Sequence, residues 1–169
     1  MELAVGILGA VPFGASAAST ISGDWEYMVS FDNALIRKHL GSASSLAIPD
    51  AIDGYSVVSF GNCFTGSTSL ISITIPNSVT RIDSWAFHNC TSLTSIIIPD
   101  SVTTIGDLTF YNCTSLESIT IPDSVTSIGR FTLCQCTSLT RADLGNSITD
   151  ISQDMFSDLL ITYKCKYSR

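Results

Sequence analysis

Two histidines and six cysteines are the side chains of this 169-residue sequence from which metal or nucleophilic chemistry would have to be built. Cys134-x-Cys136 places two thiols close together, and His88 holds the position in an earlier copy of the same segment that Cys134 holds here. Tetrahedral ligation needs such groups to converge on one point. Cys136 recurs in phase with Cys90 and Cys113 and so should point inward, Cys134 outward, and His88 lies two turns away, so no metal site is expected. Serines abound, but none sits in a nucleophile elbow, and neither His39 nor His88 has an orienting carboxylate at a matching position. No catalytic residue and no cofactor is assigned, and the chain reads as a non-enzyme.

Cys90, Cys113 and Cys136 recur at one fixed interval, so they are expected to form a single inward column. Three stacked thiols cannot all pair. One bridge between neighbours is geometrically possible, because successive coils fall near the lower part of the ~4.4–6.8 Å Cα range of a disulfide. The favoured reading is buried free thiols acting as small hydrophobes. Cys63, Cys134 and Cys165 lie off that column and are the candidates for exposed or pairing thiols. Asn89-Cys90-Thr91 and Asn112-Cys113-Thr114 match the glycosylation acceptor pattern, but a motif dictated by the recurrence reads as coincidence. Asp100 and Asp123, each following a proline, are read as turn-stabilising.

The interval is 23 residues. Leu70 to Asn89, Leu93 to Asn112 and the segment from Leu116 superpose without gaps; Leu70, Leu93, Leu116 and Leu139 hold the phase, as do Pro76, Pro99 and Pro122, with Gly145 where the next proline would fall. Each unit holds two short extended pieces. In Ser95 to Ile98, Ile96 and Ile98 share a face, and Pro99 removes a donor and ends the strand. Val102 to Ile105 is β-branched and stops at the corner residue Gly106. A third side carries Phe110 and Cys113. The inward residues of one unit cannot bury themselves alone, so units must stack. The expected columns are Ile73, Ile96, Ile119, Ala142; Ile75, Ile98, Ile121, Leu144; Val79, Val102, Val125, Ile148; Ile82, Ile105, Ile128, Ile151; and Phe64, Phe87, Phe110, Leu133, Phe156. The predicted fold is mostly β, a solenoid of about five turns with short parallel strands, spanning about 25 Å from Ile48 to Leu144.

Composition agrees with a small uncharged-polar repeat. Charged residues make up 14% of the chain, against a usual ~25%, and the net charge is −7, so there is no basic footprint for nucleic acid. Leu3 to Gly14 followed by Ala15-Ser16-Ala17-Ala18 reads as a secretory leader over residues 1–19, with Glu2 where a basic residue is usual; a truncated leader and a short buried strand are both open. The run is too short to span a membrane as a helix. Residues 20–43 read as an N-terminal β cap, in which Asp24 to Phe31 and Ala34 to His39 form a hairpin over the open first coil. Residues 44–158 are the solenoid, beginning with a lengthened capping turn between Pro49 and Pro76, and residues 159–169 are a C-terminal cap or a truncated end.

Two outward stripes are candidate binding surfaces. One is the strand ladder Ser72 and Thr74, Ser95 and Ile97, Ser118 and Thr120, ending in Arg141 and Asp143. The other is the variable set beside the phenylalanine column: Trp85, His88, Leu108, Tyr111, Phe131 and Cys134. Aromatic side chains presented in register anchor interfaces and stack on sugar rings, although some of these could instead fold back to seal the corner.

The units SITIPNSVTRIDSWAFHNCTSL, SIIIPDSVTTIGDLTFYNCTSL and SITIPDSVTSIGRFTLCQCTSL resemble the BspA-type leucine-rich repeat family, whose signature is close to SxTIPxSVTxIGxxAFxxCxSL. GDWEYM at Gly23 to Met28 and SSLAIPDAIDGYSVVSFG at Ser44 to Gly61 resemble the cap of such proteins. Departures are Thr109 and Thr132 for Ala, Leu133 for Phe, Ala142 for Ile and Gly145 for Pro. The resemblance implies a secreted or cell-surface, non-enzymatic protein, expected to be a monomer, that binds a protein or polysaccharide ligand on host or neighbouring cells. A structural spacer or a fragment of a longer surface protein is the alternative reading.

Overall fold

The computed structural model describes residues 19–149 and 153–156. Nearly all of the expected leader, the segment 159–169, Cys165 and Ile151 lie outside the described residues.

Isoleucines spaced two apart and stopped by proline form the first strand of each coil. These strands are β4 (Ser45–Ala47), β7 (Ser72–Thr74), β9 (Ser95–Ile97), β11 (Ser118–Thr120) and β13 (Arg141–Asp143). The second pieces give β6 (Tyr55–Phe60), β8 (Arg81–Ile82), β10 (Thr104–Ile105) and β12 (Ser127–Ile128). Ahead of them lie β1 (Thr20–Ser22), β2 (Trp25–Ser30) and β3 (Asn33–His39), with β5 (Ala51–Ile52) in the lengthened turn. Pairing follows the 23-residue period residue for residue: Ile73 faces Ile96, and Ile105 faces both Ile82 and Ile128. Between β9 and β11 no ladder forms, so the first sheet consists of β4-β7-β9 and, separately, β11-β13. There the Glu117 N–H reaches the Thr94 carbonyl at 3.4 Å.

The expected hairpin is β2 and β3, which pair antiparallel, and it does more than cover the first coil. β3 pairs parallel with β6, so the hairpin extends the second sheet edgewise and, with β1, continues it beyond the first coil. The Tyr27 hydroxyl donates to Asp53 at 2.7 Å and the Ser22 hydroxyl at 2.8 Å, tying the hairpin to the β5–β6 turn. Those two donors hold the Asp53 carboxyl below its ordinary pKa.

The third side forms no strand. Its backbone N–H groups donate to carbonyls of the following coil: Phe64 to Ala86 at 3.2 Å, Phe87 to Thr109 at 2.9 Å, Phe110 to Thr132 at 3.0 Å and Leu133 to Met155 at 3.1 Å. Within this frame Phe87 lies 5.4 Å from both Phe64 and Phe110 with rings within 3° of parallel. Each of the expected phenylalanine-column residues is buried, as are Val79, Val102, Val125 and Ile148; Ala142, Leu144 and Ile128 are only partly so. A further buried column, Cys63, Ala86, Thr109, Thr132 and Met155, was not among those expected. The two threonines fit because each hydroxyl donates to a glycine carbonyl three residues back, Thr109 to Gly106 at 2.7 Å and Thr132 to Gly129 at 2.6 Å.

Serine and threonine hydroxyls tie each coil to the one before. Ser101 donates to the Val79 carbonyl at 2.6 Å, Ser124 to Val102 at 2.8 Å and Thr140 to Glu117 at 3.0 Å. The Ser78 hydroxyl, at the matching position one coil earlier and beside the lengthened turn, is buried without a partner. Asp123 also bridges coils, accepting from the Asn146 N–H at 2.7 Å.

The corner glycines are set by the neighbouring coil. A Cβ on Gly106 would lie 2.4 Å from the Ser84 nitrogen, and one on Gly129 2.3 Å from the Asp107 nitrogen. Gly66 differs: its φ is +73° and nothing lies near a Cβ built there, and the same place in later coils is taken by Asn89, Asn112 and Gln135 at φ +59°, +57° and +61°. Gly106→Ala should therefore lower the unfolding free energy by about 1–3 kcal/mol, whereas Gly66→Asn should change it by no more than about 0.5 kcal/mol. Urea unfolding of the two variants checks this; equal losses would contradict the steric origin of the corner.

Candidate functional site

A second left-handed backbone position recurs on the third side, and it is filled by bulky apolar residues. Trp85, Leu108 and Phe131 sit at φ +65°, +54° and +55°. This conformation costs an L-residue about 1–2 kcal/mol, which is why glycine and asparagine usually take it. The inter-coil frame imposes it here: the Trp85 N–H donates to the Asp107 carbonyl at 3.0 Å and that of Leu108 to Arg130 at 2.9 Å. A side chain at this position is directed away from the core, and the Trp85 indole is 43% exposed.

Three of the residues singled out in the sequence come together around it. The His88 ring lies 4.5 Å from Trp85, tilted by 40°, and 5.0 Å from Tyr111, nearly parallel at 7°. His88 thus fills the space between two aromatic rings from successive coils. Its Nδ1 is buried without a hydrogen-bond partner, and burial lowers its pKa, so the ring is neutral at pH 7. Leu108 and Phe131 are half-buried, and the Arg130 guanidinium lies 5.3 Å from the centre of the Phe131 ring. Cys134, expected on this outward stripe, is instead 4% exposed. The third side is a turn rather than a strand, so its side chains do not alternate, and both Leu133 and Cys134 face inward.

The strand ladder occupies a different side of the coil. Ser95, Ile97, Ser118 and Thr120 all face outward, and Ile97 is 81% exposed. They border an open groove of about 720 Å³ that runs over β9, β11 and β13, and the Arg141–Asp143 ion pair at 2.7 Å lines it as well. A smaller depression of about 340 Å³ lies where the hairpin meets the solenoid, between Arg37, Ser59, Arg81 and Trp85. Apart from Trp85, the sequence reading did not select these residues. Their one signal is a pair of small residues, Ser59 and Gly61, flanked by longer ones on strands whose register only the fold supplies.

The cysteines serve the interior. Cys90, Cys113 and Cys136 donate their thiol hydrogens to the carbonyls of Phe64, Phe87 and Phe110 at 3.1, 3.2 and 3.0 Å. These three thiols and that of Cys63 are free. Cys63 is 8% exposed, so neither it nor Cys134 is the surface thiol expected of it. Burial pushes the Cys90 thiol up to about 12 and raises Cys63 and Cys113 as well, the latter chiefly through its contact with Cys136. Asn112 donates to the Asn89 side-chain oxygen at 2.8 Å, so both acceptor-motif asparagines are engaged in a ladder between coils. Among the described residues no three histidines, cysteines or carboxylates converge to hold a metal ion, and no helix is long and apolar enough to cross a membrane. The arrangement offers ring stacking and hydrogen bonding at the surface.

Comparison with known proteins places this geometry. The model of the BspA type leucine rich repeat region matches residues 60–165 in six copies. No curated protein matches the chain. Among solved structures, a leucine rich cell surface protein from Faecalibacterium prausnitzii is 28% identical with a TM-score of 0.69, covering 88% of this chain and 48% of that one. A leucine rich repeat protein from T. pallidum is 26% identical with a TM-score of 0.60, covering 74% and 71%. The pneumococcal vaccine antigen PcpA, at 20% identity and a TM-score of 0.59, shares the fold over 78% of this chain and 39% of its own. The chain thus spans about half the length of the first of these.

Two outcomes follow from the site. A thiol reagent added to the native protein should leave Cys63, Cys90, Cys113 and Cys136 unlabelled, with all four modified after denaturation; peptide mass spectrometry reads this directly, and native labelling of the column would contradict its burial. His88, kept neutral by burial, binds its proton less readily folded than unfolded. Its contribution to stability is present above about pH 6.5 and is lost as pH falls from there through its lowered folded pKa. His88→Phe should therefore flatten the decline of melting temperature between pH 7 and 5, and an unchanged slope would refute that assignment.

Proposed function

Because the chain belongs to the BspA-type leucine-rich repeat family, we propose that it is a non-enzymatic, extracellular or cell-surface module that binds a protein or glycan on the face built by Trp85, His88 and Tyr111. The observation that carries the reading is the backbone at Trp85. A bulky aromatic residue held at φ +65°, with nearly half its surface open to water, contributes little to folding that a glycine or asparagine would not. Its place in a stack of three rings gives it a fixed orientation, which lowers the entropy lost when a partner docks. Exposed aromatics of this kind dominate the energetics of recognition and also pack on sugar rings. The surface location is supported by the F. prausnitzii relative, whose own description is a cell surface protein.

The strand ladder around Ile97 is the second face available to such a partner, and a large apolar side chain 81% exposed among hydroxyls supports its inclusion. A structural spacer, or a fragment of a longer surface protein, without a site of its own is the alternative, supported by one observation, that the F. prausnitzii relative runs to nearly twice this length.

Screening the protein against glycan and host-matrix protein arrays, followed by titration of the hits, separates these readings. Combined Trp85→Ala and Tyr111→Ala substitution should weaken the bound partner by at least about tenfold, the loss of roughly 1.4 kcal/mol or more expected of an interface anchor. A partner whose affinity survives both substitutions removes the aromatic face from the proposal, and loss on Ile97→Ser instead would move it to the strand ladder. No ligand on any array would support the spacer.

A further inference from the structure

The small depression beside the hairpin has a cause in the register of three strands. Leu35 of β3 faces Ser59 of β6, and Ser59 faces Arg81 of β8. Two residues further along in the same register, just past the ends of these ladders, come Arg37, Gly61 and Asp83, which also line the depression. In each row a small residue on the middle strand lies between longer ones, so Ser59 and Gly61 floor a trough whose walls are two strand spacings, about 10 Å, apart. The partly exposed Trp85 indole also lines it.

The charges of the trough differ from those of the molecule. The protein carries a net charge of −7. Arg81 is neutralised by Asp83, with which it is ion-paired, whereas Arg37 is exposed and makes no ion pair among the described residues. One unpaired guanidinium therefore lines the same depression as an indole and the Ser59 and Ser84 hydroxyls. A guanidinium binds a carboxylate through two parallel hydrogen bonds. An indole face packs against the C–H face of a sugar ring, and a neighbouring ion pair with serine hydroxyls can accept and donate to ring hydroxyls.

From this we infer that the trough between β3 and β8 is a binding subsite for a carboxylated sugar, with Arg37 taking the carboxylate and Trp85 the ring. The inference rests on the proposal that Trp85 belongs to a ligand-binding face, and it names the class of ligand.

Calorimetric titration of the full chain with tetragalacturonate, a hyaluronan tetrasaccharide and sialyllactose, each beside its neutral methyl ester, tests it. At least one acid should bind, its methyl ester at least tenfold more weakly, and added NaCl should reduce only the acid's affinity. Arg37→Gln should lower affinity for the acid at least tenfold and leave that for the ester unchanged, with Arg37→Lys in between. Trp85→Ala should weaken both. Absence of binding by all three acids, equal affinity for acid and ester, or an Arg37→Gln variant that binds like the parent would overturn the inference. So would a hexaglutamate peptide that binds as tightly as the sugars with the same dependence on Arg37. If Arg37→Gln has no effect while the Trp85/Tyr111 double variant still loses its array partner, this inference alone falls; if neither change affects any ligand, the proposed aromatic face falls with it.

Discussion

The backbone of every coil must find its hydrogen-bond partners in the coils on either side, and nearly everything else in the molecule follows from that requirement. A 23-residue turn has too few internal contacts to satisfy its own amides, and a buried amide without a partner costs about as much as a lost hydrogen bond. Stacking in register satisfies them, as when Thr103 donates to the Thr80 carbonyl and Thr126 to that of Thr103. The same register aligns identical side chains, so the phenylalanines stack nearly parallel and the thiols each meet a carbonyl one coil away. Departures from the register are local: the Ser78 hydroxyl beside the lengthened turn is buried without a partner, and β9 parts from β11.

The unusual composition has its origin in the same requirement. Hydroxyls outnumber charges because a short side chain at the coil surface can donate to the carbonyl behind it, as Ser101, Ser124 and Thr140 do. A long charged side chain at these positions would have no fixed partner and would lose more conformational entropy on being held. Among the described residues the ion pairs are few: Arg81 with Asp83 and Arg141 with Asp143 each close within a single short strand or its end, Arg130 with Asp154 links successive coils, and all three lie near the surface, so they add little to stability. The stack is held by repetition of weak, well-placed contacts.

Against this uniform background the positions that vary become informative. In the three coils that follow the lengthened turn, the third side takes a left-handed residue at two places; the first coil takes one, at Gly66. At one of them the chain supplies glycine, asparagine or glutamine, as backbone energetics favour; at the other it supplies tryptophan, leucine and phenylalanine. The polar set is explained by the turn itself. The apolar set is not, and its first member stands at the junction of solenoid and hairpin, where ring stack and trough meet.

Period, inward columns, hairpin and capping turn were legible in the chain because a repeat writes its packing pattern several times, and a residue that recurs in phase must occupy the same environment each time. The aromatic candidates Trp85, His88 and Tyr111 were legible for the opposite reason, as departures from that pattern. What could not be read was anything that depends on side-chain direction in a segment without strand periodicity. Cys63 and Cys134 looked peripheral and are buried, and Thr109 and Thr132 looked like flaws in the pattern and are satisfied core residues, because the third side is a turn whose inward positions follow no alternation. The trough of Arg37, Ser59 and Arg81 joins residues from the hairpin, the capping turn and the first regular coil. No spacing within one unit relates them, and the tertiary structure alone, by pairing β3 in parallel with β6, brings them into one site.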